Sequence, residues 1–135
     1  MLAGRLLFAA AAGAAVGLNR ELAGKPAGLR THALVALGAA GVCAVALTLT
    51  GDPSSTSRVV QGVVAGVGFI GGGVILHNAQ GVQGLTTASS IWVVAAVGIA
   101  AGLGLWQAAT LITLVALFVL VAGEVADGVI RRIRR

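Results

Sequence analysis

Hydroxyl and basic side chains gather in two short stretches of a chain otherwise dominated by Ala, Val, Leu and Gly. One reads GKPAGLRTH, from Gly24 to His32; the other reads GLTTASS, from Gly84 to Ser90. Both place Gly-Leu-x-Thr at the start of an apolar run. A Thr there can cap the first helical turn by accepting an orphan backbone N–H. The remaining free N–H groups and the positive helix end form a ready site for an anion or a carbonyl. Thr86 and Ser90 share a helix face at a spacing of four. Arg30 and His32 add positive charge beside the equivalent start. Arg20 and Glu21 are adjacent and cannot share a face, so each must find partners elsewhere, with Lys25 the local choice for Glu21. The chemistry on offer is recognition of charge. Arg20, Glu21, Lys25, Arg30, Thr31, His32, Thr86, Thr87 and Ser90 together can hold a phosphate, a lipid headgroup or an acidic loop of a partner. The plainer reading of the same residues is helix capping plus anchoring at a membrane surface.

Other chemistries find little support. There is no Ser–His–Asp set, no phosphate loop and no plausible pair of catalytic carboxylates, so neither an enzyme nor a cofactor is expected. His32 and His77 are expected at one membrane level, but a metal needs further ligands of fixed geometry, so no metal site is expected. Glu124 and Asp127 sit beside the basic tail, where solvated pairing with Arg is the default. A cation pathway needs acids deeper in the apolar runs, and there are none. Cys43 is alone, so no intramolecular disulfide forms, and it reads as a small apolar filler.

The elements that must position the patch follow from composition. Of 135 residues, 58% are hydrophobic and 10% charged, too few charges to clothe a soluble domain of this size. The bilayer is the expected solvent, and each crossing needs roughly 20 apolar residues. The expected fold is an all-α polytopic membrane bundle, a single domain of five transmembrane helices over about 2–18, 31–50, 59–77, 86–103 and 106–127. The turn between the last two is expected at Gly102, Gly104 and Trp106. Seven of the nine Lys/Arg residues fall on one side if the N-terminus is outside and the C-terminus inside, with Arg5 and Arg58 on the other. That bias fits the cytoplasmic ends of membrane helices, with anionic headgroups as the partner of the base excess rather than nucleic acid. A shift of 56 residues aligns Gly17 with Gly73, Gly28 with Gly84 and Thr31 with Thr87, so helices one–two and three–four are candidate parallel repeats. Helix three, QGVVAGVGFIGGGVIL, carries Gly62, Gly66, Gly68, Gly72 and Gly73. Small residues let helices approach closely in lipid, so these glycines are expected to make helix three the most tightly packed element. The alternative is a broken helix whose freed backbone lines a site. Gly13 and Gly17 form a weaker pair of the same kind. Exposed small-residue faces also favour a homodimer.

Three blocks carry a resemblance: RELAGKPAGLRTHALVALGAA from Arg20, GVGFIGGGVI from Gly66, and GLTTASSIWVVAAVGIAAGLG from Gly84. In order and spacing they resemble the MgtC/SapB family of bacterial inner-membrane proteins, over about Gly17 to Leu105. The resemblance implies a multi-pass plasma-membrane protein linked to growth in low magnesium and, in pathogens, to survival in host cells, hence to virulence. It implies a membrane regulator or interaction protein acting on the F-type ATP synthase or the membrane potential. The alternative is a small ion channel or transporter, for magnesium or another ion. By the resemblance, Arg20, Glu21, Lys25, Pro26, Gly28, Leu29, Arg30 and Thr31 match the first family block. Gly68, Gly71, Gly73, Gly84, Leu85, Thr86, Thr87, Ser90 and Trp92 match the later ones. Asn19 stands where family members usually carry an acid. His77, Asn78 and Gln83 make the second loop less cationic than is usual. The chain resembles the shorter, membrane-only form without a soluble C-terminal domain.

Overall fold

A computed structural model describes residues 1–78 and 81–133. The His77 side chain, Gln80 and the terminal Arg134 and Arg135 lie outside the described residues. Five helices follow one another: α1 (Leu2–Leu22), α2 (Leu29–Thr50), α3 (Pro53–Gly73), α4 (Leu85–Gly102) and α5 (Trp106–Ile133). Two three-residue strands, β1 (Leu76–Asn78) and β2 (Gly81–Gln83), join α3 to α4 as an antiparallel hairpin in which His77 faces Val82. The sequence gives no alternating pattern there, so an irregular loop was the natural expectation. Helices α1, α2, α4 and α5 are long and apolar enough to cross a membrane. Side chains on α5 such as Leu111, Leu114, Phe118 and Val119 are largely exposed, as a lipid-facing surface requires.

The helix ends differ from the expected bounds for local reasons. α3 begins at Pro53, not near residue 59, because Asp52 caps it. The Asp52 carboxylate accepts from Ser54 N at 3.2 Å and Ser55 N at 2.9 Å, and Pro occupies the first turn, where its missing N–H costs nothing. Hydrogen bonds from the Ser54 and Ser55 hydroxyls, then from their backbone N–H groups, hold this carboxyl at about 2. Its folded pKa is lowered, so the cap's contribution is present above the ordinary carboxylate range and is lost as pH falls toward about 2. The Gly71–Gly73 run does not break α3. The helix is continuous to Gly73 and ends there, with the Val74 and Ile75 N–H groups closing onto Gly71 O and Gly72 O. α4 and α5 are separated at Leu103–Leu105, where Gly104 takes φ 80°. Arg5 donates to Gly102 O at 2.9 Å, placing a cation on the negative C-terminal end of α4.

The packing inverts the expected role of the glycines. A Cβ built at Gly62, Gly66, Gly68, Gly72 or Gly73 meets nothing within 4 Å. α3 is therefore peripheral within the chain, with Val67 and Gly71 its buried residues. The periodicity that suggested a packing stripe is real, but these glycines touch no other helix, and Gly66 borders an open groove beside α2. The close approaches are made by α1 and α4, on either side of α2. A Cβ at Gly13 would lie 2.8 Å from Ala36 Cβ, and one at Gly17 2.7 Å from both Gly28 O and Leu29 Cα. From the other side, a Cβ at Gly98 would lie 2.9 Å from Ala39 Cβ, and one at Gly102 2.9 Å from Ala40 Cα. Each pair is spaced by four, so one face of α1 and one face of α4 bring their backbones against α2. Ala36, Ala40, Val94, Val97 and Ala101 fill the centre and are fully buried.

Substitution should sort the glycines by this geometry. Gly17→Ala and Gly98→Ala force backbones apart and should each destabilise the protein by about 1–3 kcal/mol. Gly68→Ala should be neutral or raise stability by up to about 1 kcal/mol, since only helix propensity changes. Thermal melting in mild detergent measures the difference. Equal effects at Gly17, Gly98 and Gly68 would contradict the assignment.

Candidate functional site

One end of the bundle carries the α1–α2 loop, the hairpin and the part of α5 around Glu124. There the two polar stretches meet. Arg20, Gly24, Lys25 and Pro26 from the first, and Gly84, Leu85, Thr86 and Thr87 from the second, line one cavity of about 480 Å³. Val74, Val82 and Gln83 complete its wall. Sharp backbone turns make this possible. Gly24 at φ 64° and Ala27 at φ 59° fold the first loop, and Gly84 at φ 88° turns the hairpin into α4. A Cβ at Gly84 would run into Val74 O, so glycine is required there twice over.

Neither Thr31 nor Thr86 caps a helix. Gly28 and Gly84 occupy the cap positions of α2 and α4, and neither helix start has a side-chain cap. The first turn of α2 is served from α1 instead: Leu29 N–H donates to Glu21 Oε2 at 2.9 Å. Glu21 thus turns to a helix end, where its charge suits the dipole, and not to Lys25. Arg30 is exposed and Thr31 half-buried, and neither lines the cavity. Lys25 and Thr86 are exposed at its mouth, whereas Thr87 is buried.

Arg20 is the unusual residue. It is 3% exposed and donates from Nη1 to Glu124 Oε1 at 3.4 Å, while Asn19 Nδ2 donates to Glu124 Oε2 at 3.3 Å. Glu124 was expected to pair with the basic tail. The helical spacing brings it back onto α1 instead, and Arg131 donates to the Asp127 backbone oxygen at 3.2 Å. The pairing leaves Arg20 Nε and Asn19 Oδ1 buried without a hydrogen-bond partner. A buried donor left unmade costs about 1–3 kcal/mol, so an Nε without a partner asks for an occupant.

His32 and Ser90 lie just behind the cavity. His32 is fully buried, with Nδ1 2.9 Å from Gly28 O and Nε2 2.9 Å from Ser90 Oγ. Ser90 Oγ also lies 2.8 Å from Thr87 O. Gly28 O accepts only, so Nδ1 carries the proton. In the neutral ring Nε2 is then an acceptor, and the single Ser90 proton serves either Nε2 or Thr87 O. This chain of contacts ties α2 to α4 and ends on Thr87, in the cavity wall. Sequence reasoning grouped Ser90 with Thr86 at a spacing of four. The structure pairs it with Thr87 at a spacing of three, because α4 turns that face inward. Asn19 and Glu124 were not in the expected patch. Their shared membrane level at the ends of α1 and α5 was the available signal.

The His32–Ser90 contact should appear as coupling between variants. Ser90→Ala strands Nε2, whereas after His32→Leu the Ser90 hydroxyl keeps Thr87 O. The double variant should therefore be more stable than the sum of the single losses by about 0.6–1.7 kcal/mol, the range for hydrogen bonds inside membrane bundles. Strict additivity in detergent unfolding would mean that the contact is absent.

The chain matches the family model described as the MgtC family over residues 6–128. It is 49% identical to Protein SrpB of Synechococcus elongatus over 116 residues, covering 76% of this chain and 64% of that protein. It is 44% identical over 110 residues to the Putative magnesium transporter YhiD of Escherichia coli K12, covering 76% of this chain and 51% of YhiD. Protein MgtC of Salmonella typhimurium is 42% identical over 112 residues, 83% of this chain and 48% of that protein. The chain thus spans from about half to just under two thirds of the length of these relatives. No solved structure matches it. With apolar helices of spanning length and a family match across nearly all its residues, this chain is a membrane protein that belongs to the MgtC family.

Proposed function

We propose that the chain is a non-enzymatic regulator in the bacterial inner membrane, linked to growth at low magnesium, and that its loop end is the recognition surface. In this reading all five helices cross the bilayer, with the N-terminus outside and the loop end facing the cytoplasm. The seven-to-two bias of Lys/Arg supports that orientation. The observation that carries the functional reading is that, among the described residues, the one buried charge, Arg20, and its half-exposed partner Glu124 lie at one end. Arg20, Glu124 and the cavity lie there, while the middle of the bundle is filled by Ala, Val and glycine contacts between α1, α2 and α4. Such an interior suits a platform that binds another membrane complex better than a conduit through a single chain. The family resemblance points to the F-type ATP synthase as that complex. The open glycine face of α3 is then the surface for a second copy, because a helix of modest hydropathy with five uncovered glycines is poorly matched to lipid.

The second reading, ion transport, is favoured by the name of the Escherichia coli relative YhiD, a putative magnesium transporter. Two measurements separate the readings. The purified protein in liposomes should give no magnesium flux above protein-free vesicles. In cells, Lys25→Gln and Thr87→Val should lose growth at low magnesium at normal expression, while Arg30→Gln should keep it. Cysteines placed at Ser57 and Lys25 in a Cys43→Ala background should label from opposite sides. Saturable magnesium flux that is lost in Thr87→Val would replace the regulatory reading with transport.

A further inference from the structure

We propose that the loop-end cavity is a phosphate-oxyanion site, formed by the Arg20 Nε, the Lys25 ammonium and the first turn of α4. This rests on the reading of the loop end as a recognition surface and names what that surface binds. Three independent features converge. The first is the α4 start: Gly84 leaves it without a side-chain cap, so the N–H groups of its first turn face the loop end with the positive end of the helix dipole. Thr86 and Thr87 add hydroxyls beside them and line the cavity. The second is Arg20. It borders the same cavity and is almost wholly buried, and its Nε has no partner. The Glu124 contact at 3.4 Å uses Nη1 alone; Nε is closed off from solvent and unpaired, so a rotation of the guanidinium toward the cavity lets it complete a charge-assisted bond. The third is Lys25, exposed at the cavity mouth.

Charge decides the class of anion. Glu124 neutralises Arg20, and Glu21 is committed to Leu29 N–H. The cavity therefore carries about one net positive charge from Lys25, plus roughly half a charge from the helix end. That balance suits a singly charged phosphate oxyanion, with two or three oxygens to share among N–H, hydroxyl and guanidinium donors. A carboxylate holds its two oxygens in one plane, whereas a tetrahedral phosphate directs its oxygens to donors on different sides of the cavity. Two sources present this group. One is the phosphodiester of a lipid headgroup, for which the exposed Leu85 and the Val74 and Val82 wall offer apolar surface. The other is free inorganic phosphate.

The test uses the purified full chain in detergent. One arm adds inorganic phosphate against chloride at matched ionic strength. The other adds dihexanoyl phosphatidylglycerol against dihexanoylglycerol, which lacks the phosphate. Thermal unfolding and phosphorus NMR line width are the readouts. A saturable rise in Tm with at least one phosphate probe is expected, and its source follows from which arm responds. Lys25→Gln and Thr86→Val should weaken that binding by about tenfold or more without changing the ligand-free Tm, since both side chains are exposed. Arg20→Lys keeps the charge for Glu124 but removes Nε, and should weaken binding similarly. Arg30→Gln should bind as the parent does. No response to either probe, or unchanged binding in Lys25→Gln, Thr86→Val and Arg20→Lys, would overturn the proposal and leave the cavity to water. If those variants lost low-magnesium growth with no phosphate effect in the purified protein, the recognition surface would stand and the phosphate assignment would fall.

Discussion

The architecture depends on how closely three backbones can approach in lipid. Water supplies no force between helices there, so association rests on packing and on a few internal hydrogen bonds. Gly13 and Gly17 on α1, with Gly98 and Gly102 on α4, remove the side chains that would hold α2 at a distance. The peptide groups of α2 then sit in van der Waals contact on both sides. Ala36, Ala39 and Ala40 meet the glycines as the smallest side chains that still favour a helix. A larger residue at any of these positions would push the helices apart along their whole length.

Once that clamp is closed, the buried charge lies at the loop end. The helix ends converge at the loop end, and Arg20, Asn19 and Glu124 meet there from α1 and α5. His32 lies on the clamped face of α2: Gly17 packs against its Cβ and Ser90 Oγ of α4 lies 2.9 Å from its Nε2. The Ser90–Thr87 contact carries that link into the cavity wall. A shift of α4 against α2 would therefore be felt at Thr87. That is a physical route by which occupancy of the cavity and the fit of the bundle affect each other.

Much of this was legible in the sequence, for stated reasons. Apolar runs of spanning length fix the helices, and the Gly-Leu-x-Thr repeats locate the two loops that meet at Arg20, Lys25, Thr86 and Thr87. The faces were harder. Gly62, Gly66, Gly68, Gly72 and Gly73 have the spacing of a packing stripe, but spacing gives a face and not its partner. Of the glycines that do pack within the chain, Gly13 and Gly17 are legible as a small-residue pair, whereas Gly98 sits in an unbroken apolar run and Gly102 reads as part of the turn before α5. Caps were misread because a Thr near a helix start is the usual cap, whereas here Glu21 reaches from the preceding helix to Leu29 N–H. The hairpin over 76–83 has no alternating pattern to reveal it. The Arg20–Glu124 pair joins residues 104 apart in sequence, and only the closed bundle brings them together.

The central claim is that the α1–α2 loop and the start of α4 face each other across one cavity. Cysteines at Lys25 and Thr86 in a Cys43→Ala background, treated with a short bifunctional thiol reagent in native membranes, test it most directly. The account predicts rapid cross-linking within one chain, read as a monomer-sized band by mass, and none between Ser57 and Thr86. Failure of the Lys25–Thr86 pair to link, in protein that still labels at each single cysteine, would contradict it.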